Sequence, residues 1–344
     1  MALSFLSKLG FEQRYNALLF FWLSLPLLLF AASQGLQLLF FAPDGILVPV
    51  SAPGELYWFH SGFRRVGIRL HLAAVIPFSF LAIVQFVPAI RRKYMRLHRV
   101  NGYVVLALLV LANIGAVMVT DHAFGSTVDM QIVSLLLAFI SLTSGLIGYY
   151  NIKRLQLEQH RAWMLRMTFY MFTVVSVRPV MFLFTMGISL LGKYHNVWPC
   201  SMVEWTWNYY NATNFQVTYP ACANLSAAEM ERTYVPVLGN MFSPDDPAQI
   251  GASFQIPAAA AIFLGVVIHA IGVELYLTVT APNAYKLRVE SYKRQLAAGY
   301  IDPGNAGLVA ERFGREQWKS VARNDDETRS ITSNNTQENY GSLI

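Results

Sequence analysis

The chain has 344 residues, of which 55% are hydrophobic and only 13% are charged, about half the ~25% charge of an average soluble domain. Several apolar runs reach the ~20 residues that a bilayer span needs, so a soluble globular protein is excluded. The net charge of +6 calls for no nucleic acid, because the bases sit beside the apolar runs, where membrane proteins carry them. The fold class read from this is all-α: a polytopic transmembrane helix bundle of about six spans with a core four-helix unit.

In chain order, a short N-terminus (1–16) precedes a first span at 17–42. Lys8 and Arg14 before that run, with Ala31-Ala32-Ser33 in it, also fit a cleaved signal. The continuation of the run to Phe41 favours an uncleaved anchor. The core bundle follows at 66–192, with spans at about 66–90, 100–120, 130–150 and 163–192. Short loops between them favour antiparallel neighbours. Ser141-x-x-x-Gly145, Ser144-x-x-x-Gly148 and Ala261-x-x-x-Gly265 read as packing faces, since small residues four apart let helices approach. A polar loop at 193–250, a sixth span at 251–280 and a tail at 281–344 complete the chain. The tail is basic first and expected to be disordered later, from Arg323 to Asn339.

Loop charges give an orientation, because Lys and Arg accumulate on the cytosolic side. Arg91, Arg92, Lys93, Arg96 and Arg99 lie between the second and third spans without an acid. Lys153, Arg154 and Arg161 follow the fourth span, and Lys286, Arg288, Lys293 and Arg294 follow the sixth. The loop at 121–129 has Asp121 and Asp129 and no base, and the 193–250 loop is mostly acidic. Only Arg64, Arg65 and Arg69, before the second span, dissent. Both termini are therefore expected in the cytosol. Cys200 and Cys222 share the long loop with two glycosylation sequons, at Asn211 and Asn224. A disulfide and glycans belong to an oxidising, secretory compartment, and such a bond contributes about 3 kcal/mol in the chain-entropy model. The expected location is a membrane of the secretory pathway or the plasma membrane.

The polar residues inside or beside the spans are the candidates for chemistry. His98 stands at the mouth of the third span, in Arg96-Leu97-His98-Arg99-Val100-Asn101-Gly102. His160 stands at the mouth of the fifth, in His160-Arg161-Ala162-Trp163-Met164-Leu165-Arg166. His71 lies in the second span, His122 at the far end of the third and His269 in the sixth. Intramembrane charges mark function or pairing. Arg166 and Glu274 are expected at a similar depth and able to pair, whereas Arg178 is deeper, nearer the level of Arg69 and His71. Two accounts of these charges stay open: structural ion pairs, or a polar site in the bundle for a small solute or an anionic lipid.

The motifs Leu97-His98-Arg99-x-x-Gly102 and His160-Arg161-x-Trp163-Met164-x-Arg166, followed by Arg178, resemble a family of multi-span membrane proteins of unknown function found in bacteria and fungi. The resemblance covers about 66–190 and implies a membrane bundle without an assigned activity. A weaker similarity is to the ascorbate-reducible transmembrane b-type cytochromes. It implies haem b held through its iron by His98 and His160, with His71 and His122 as a second pair, because neutral imidazole is a good axial ligand. The fourth span contains no histidine, which departs from that pattern. His98 and His122 would also lie ~36 Å apart along one helix at 1.5 Å per residue. The alternative role of His98 and His160, among arginines at helix entrances, is to contact lipid phosphates. A Gly-rich phosphate loop, a zinc-protease helix and a nucleophile elbow are all missing.

Overall fold

The computed structural model describes residues 9–11, 13–40, 52–125 and 127–313, with side chains described up to Leu36 in the first helix. The run Arg323 to Asn339, expected to be disordered, lies outside the described residues. In chain order the helices are α1 (Arg14–Phe40), α2 (Glu55–Phe59), α3 (Gly62–Gln85), α4 (Pro88–Lys93), α5 (Met95–Val119), α6 (Val128–Lys153) and α7 (Leu157–Leu191). After strand β1 (His195–Pro199) come α8 (Cys200–Tyr209), α9 (Phe215–Thr218), α10 (Ala227–Arg232) and strand β2 (Tyr234–Leu238). The chain then forms α11 (Pro247–Gln255), α12 (Ala258–Val279) and α13 (Ala281–Ala297).

Six helical segments are long and apolar enough to cross a membrane: α1, α3, α5, α6, α7 and α11 continued by α12. A helix satisfies its own backbone hydrogen bonds, which the hydrocarbon core requires. Their outward side chains are apolar too, and Trp22, Leu29, Phe139, Leu183 and Leu275 are all more than half exposed. A water-facing surface rarely carries so much apolar area, whereas lipid accepts it.

The chain divides into two compact units. The first comprises Met1–Leu142 and Thr168–His269. Within it α3 and α5 meet backbone to backbone. A Cβ at Gly115 would collide with the backbone nitrogen of His71 and lie 2.7 Å from the Gly67 carbonyl oxygen. The same pair is tied at its other end, where Asn101 Nδ2 donates to Leu81 O (2.9 Å) and Gln85 Nε2 donates to His98 O (3.0 Å). Further along the unit, Met130, Val133, Val177, Met181 and Ala261 join α6, α7 and α12 in one apolar cluster.

The same unit carries a small cap built from the polar loop. Strands β1 and β2 pair antiparallel, with Trp198 opposite Val235. The expected Cys200–Cys222 disulfide is present, with 5.5 Å between the Cα atoms. Around it Trp198, Met202, Val203, Trp207 and Val237 are buried, so the loop has a core of its own. Ser226 and Glu229 cap α10 reciprocally, each satisfying a backbone donor that the helix start leaves open. Asn211 and Asn224 are exposed, both at positive φ. The side bearing this cap is called the cap side below.

The second unit comprises Thr143–Met167 and Ala270–Ile344. Its centre is a polar network buried at the turn between α6 and α7. Gln156 Oε1 accepts from Gln295 Nε2 and from the Gly307 N–H, both at 2.9 Å, while Gln156 Nε2 donates to Gly304 O at 2.7 Å. Ser291 donates to Glu158 at 2.8 Å, and Asn151 Oδ1 accepts from the Leu308 N–H at 2.9 Å. A buried polar group costs ~1–3 kcal/mol when left unpaired, and here the partners are supplied by α13 and the segment that follows it. The polar stretch at 298–313 is thereby packed rather than trailing.

Candidate functional site on the cap side

The residues around Arg178 bring a cation in a span close to a buried acid within the first unit. Arg178 lies in the middle of α7, immediately before Pro179. Its guanidinium is 5.5 Å from the ring centroids of both Phe30, in α1, and Phe124, in the turn before α6. Aromatic faces attract a cation through their quadrupole, but they accept no hydrogen bond of normal strength. Arg178 Nε is buried without a hydrogen-bond partner. Among the described residues the anion that acts on this cation is Glu55.

Glu55 is the first residue of α2 and is only 4% exposed. Its Oε2 accepts from the Phe124 N–H at 3.0 Å, and its Oε1 accepts from Gln255 Nε2 at 2.7 Å. Burial pushes the carboxyl up to about 7, against the pull of those two hydrogen bonds and of the Arg178 charge. Gln255, at the end of α11, is held in turn by Trp198 Nε1 and Asn196 Nδ2, which both donate to its Oε1 (2.7 and 2.8 Å). The amide is thus fixed with its nitrogen towards Glu55.

Backbone geometry completes the arrangement. Phe124 adopts φ 47 and ψ 49, a left-handed conformation that costs a non-glycine residue about 1–2 kcal/mol. That conformation accompanies the donation of its N–H to Glu55 and the placement of its ring beside Arg178. Gly54, with φ +88, has the Trp198 ring 2.5 Å from where a Cβ would stand. Only glycine fits both the conformation and the space.

The other expected site residues have different surroundings. His71 Nδ1 is 2.8 Å from Ala112 O across the α3–α5 contact. His122 Nδ1 is 2.8 Å from Asp121, and its ring lies 4.0 Å from that of Trp58. The structure therefore gives these two histidines separate partners. His98 opens the second turn of α5 in the first unit, and His160 lies in the second unit, where its Nδ1 is 2.9 Å from Gly148 O. Arg69 lies in the first half of α3. Arg166 and Glu274 do meet, in a two-pronged ion pair of 2.6 and 3.0 Å with the Trp163 ring 4.8 Å from the guanidinium. Arg161 donates to Thr280 at 3.0 Å. Much of the second motif therefore fastens α7 to its neighbours within the second unit. His269 pairs with Ser176 at 2.8 Å.

The arginines that dissented from the charge pattern are partly answered for. Arg64 forms a forked pair with Asp121, with contacts down to 2.7 Å, and lies over Trp58. Its charge is matched on its own side.

Sequence reading missed Glu55, Phe124 and Gln255. Glu55 falls in a connection between spans, and its one signal was an acid heading the aromatic run Leu56-Tyr57-Trp58-Phe59. Gln255 reads as one polar residue at the start of an apolar helix. Among the described residues no group of three or more His, Cys, Asp or Glu side chains could hold a metal ion.

Residues 68–213 match the model of a family described as "Predicted membrane protein (DUF2306)", in agreement with the resemblance carried by the two histidine motifs. Arg178 and Cys200 are inside the matched stretch; Glu55 and Gln255 are outside it. The chain is also 32% identical over 92 residues to "Ava biosynthesis cluster protein G" of Aspergillus versicolor, which covers 22% of this chain and 27% of that protein. The chain thus spans only a minor part of the length of that curated relative. No solved structure matches.

Proposed function

We propose that the chain is a non-enzymatic membrane protein that binds a small acid, or the acidic headgroup of a lipid, at Arg178. The observation that carries this reading is a cation inside a span whose Nε has no hydrogen-bond partner and which two aromatic rings flank. An intramembrane charge is costly and marks function by default, and a guanidinium is shaped for a two-pronged carboxylate or phosphate. In this reading both termini are cytosolic and the cap faces the lumen or the exterior. The loop charges, the disulfide and the Arg64–Asp121 pair support that orientation.

The test uses the full chain in discs of neutral phosphatidylcholine, with acetate and inorganic phosphate as solutes at matched ionic strength. The solute that binds raises the melting temperature in a saturable way, and Arg178→Gln abolishes the effect while Arg166→Gln keeps it. Discs containing phosphatidylserine separate the two ligand sources: a headgroup ligand blocks the solute effect, a free solute leaves it intact. Equal responses of the wild type and Arg178→Gln refute the reading.

The second reading, haem b on the histidines that the sequence singles out, has one observation on its side. The Nδ1 atoms of His160 and His71 each face a backbone carbonyl, the kind of contact that orients ligating imidazoles. Purified protein given haem then shows a Soret band that His160→Ala loses; its absence counts against this reading.

A further inference from the structure

The site holds an acid of its own, and this bears on how an external one would enter. Resting on the Arg178 reading above, we propose that Glu55 is a proton-linked gate: its ionised carboxylate serves as the internal counter-anion of Arg178, and an external acid replaces it only once Glu55 has taken up a proton. Binding of the acid therefore carries one proton into the site.

The geometry supports the exchange. Glu55 is clamped by the Phe124 N–H and Gln255 Nε2, and Phe124 also presents its ring to Arg178. One residue thus touches both the acid and the cation. Glu55 influences Arg178 by charge, yet no ion pair within 4 Å joins them among the described residues. An ionised Glu55 and a bound anion would place two negative charges at one buried cation. Like charges at a buried site drive one of them to protonate. Protonation of Glu55 removes that conflict.

The groups facing this region are few. Among the described residues the charged group that acts on Glu55 is Arg178 of α7; Asp121 and His122 come three and two positions before Phe124 in the chain, with Arg64 of α3 on Asp121. From α11 and β1 come the uncharged Gln255, Asn196 and Trp198. Asp44 lies outside the described residues. His122 stands two residues before Phe124, so it is the control.

The experiment is calorimetric titration of the full chain in neutral discs with sulfate, whose own charge is constant from about pH 5.5 to 8.5. If binding needs protonated Glu55, affinity falls about tenfold for each pH unit above the Glu55 value and levels off below it. Repeating the titration in two buffers of different ionisation heat gives about one proton taken up per sulfate at alkaline pH, and close to none at the acid end. His122→Gln leaves both results unchanged. Glu55→Gln binds at the acid-limit affinity at every pH. An amide at Glu55 loses one of the two clamping contacts, so the proton count on the wild type decides the matter if that variant does not fold. Binding that depends on Arg178 but takes up no proton overturns the gate and leaves the Arg178 site standing. Binding that ignores Arg178→Gln, or no sulfate binding at any pH, overturns both.

Discussion

Gln255 Nε2 donates a 2.7 Å hydrogen bond to the carboxylate of Glu55, across 200 positions of chain. This contact joins the end of α11 to the start of α2, and through Phe124 it reaches the turn before α6. The cap and the membrane helices of the first unit share a buried acid where they meet. Its ionisation state is consequently a property of the fold as well as of the site.

Stability should register that state. Glu55 titrates at about 7 in the folded chain against 4.5 for an ordinary glutamate, so the folded state holds more protons between those values. The sign follows: this contribution is fully present below about 4.5, is lost as pH rises towards about 7, and changes no further above that. Its size is at most on the order of 3–4 kcal/mol, at ~1.4 kcal/mol per unit. Melting temperatures measured across this range in neutral discs should decline for the wild type and show a reduced slope for Glu55→Gln. An identical slope in the two proteins contradicts the assignment.

The α3–α5 contact should tolerate no side chain at Gly115. Gly115→Leu forces apart two backbones that meet at His71 N and Gly67 O. Overpacking of this kind costs about 1–3 kcal/mol, and more where backbone must move. The variant should melt well below the wild type, whereas Gly187→Ala, with nothing near its Cβ position, should change little. Equal melting temperatures for Gly115→Leu and the wild type would refute the close approach.

Arg166 and Glu274 should behave as a pair. Either Arg166→Gln or Glu274→Gln alone leaves a charge facing apolar surroundings, and the double substitution should recover part of the loss. Glu274 is about half exposed, and a pair of that kind contributes no more than ~1 kcal/mol in water, so the coupling is modest wherever water reaches it. A double-mutant cycle on thermal stability reads it directly; strictly additive losses would show that the two side chains do not cooperate.

The cap should carry glycans at Asn211 and Asn224. Thr213→Ala should remove one without destabilising the cap, since Thr213 is exposed and lies outside the helices and strands. Ser226→Ala should remove the other and also cost about 0.5–2 kcal/mol, because that serine caps α10. The mass shift after glycosidase treatment counts the sites. An unchanged mass would place this loop outside a glycosylating compartment.

Different parts of the molecule were legible for different physical reasons. The spans showed because a bilayer demands ~20 apolar residues in a row, a signal too long to miss. The disulfide showed because Cys200 and Cys222 are the chain's two cysteines and share one loop. The Arg166–Glu274 pair followed from helix rise, which sets depth. The small-residue patterns in α6 and α12 did find packing, since Gly148 meets Met164 and Gly265 meets Thr173. The close approach of α3 and α5 at Gly67 and Gly115 has one glycine on each helix and no spaced pattern to reveal it. Glu55, Phe124 and Gln255 were illegible for a similar reason: they come from three separate segments, and only the folded cap assembles them. The buried role of Gln156 was hidden as well, because a glutamine in a short turn ordinarily faces water.

Arg178 carries the central claim, and equilibrium dialysis of labelled sulfate at about pH 6 tests it most directly, under conditions where the Glu55 gate is largely protonated. The full chain in neutral discs should bind sulfate saturably, and Arg178→Gln should bind at least tenfold more weakly while remaining folded by melting temperature. Undiminished binding by a folded Arg178→Gln protein would contradict the account.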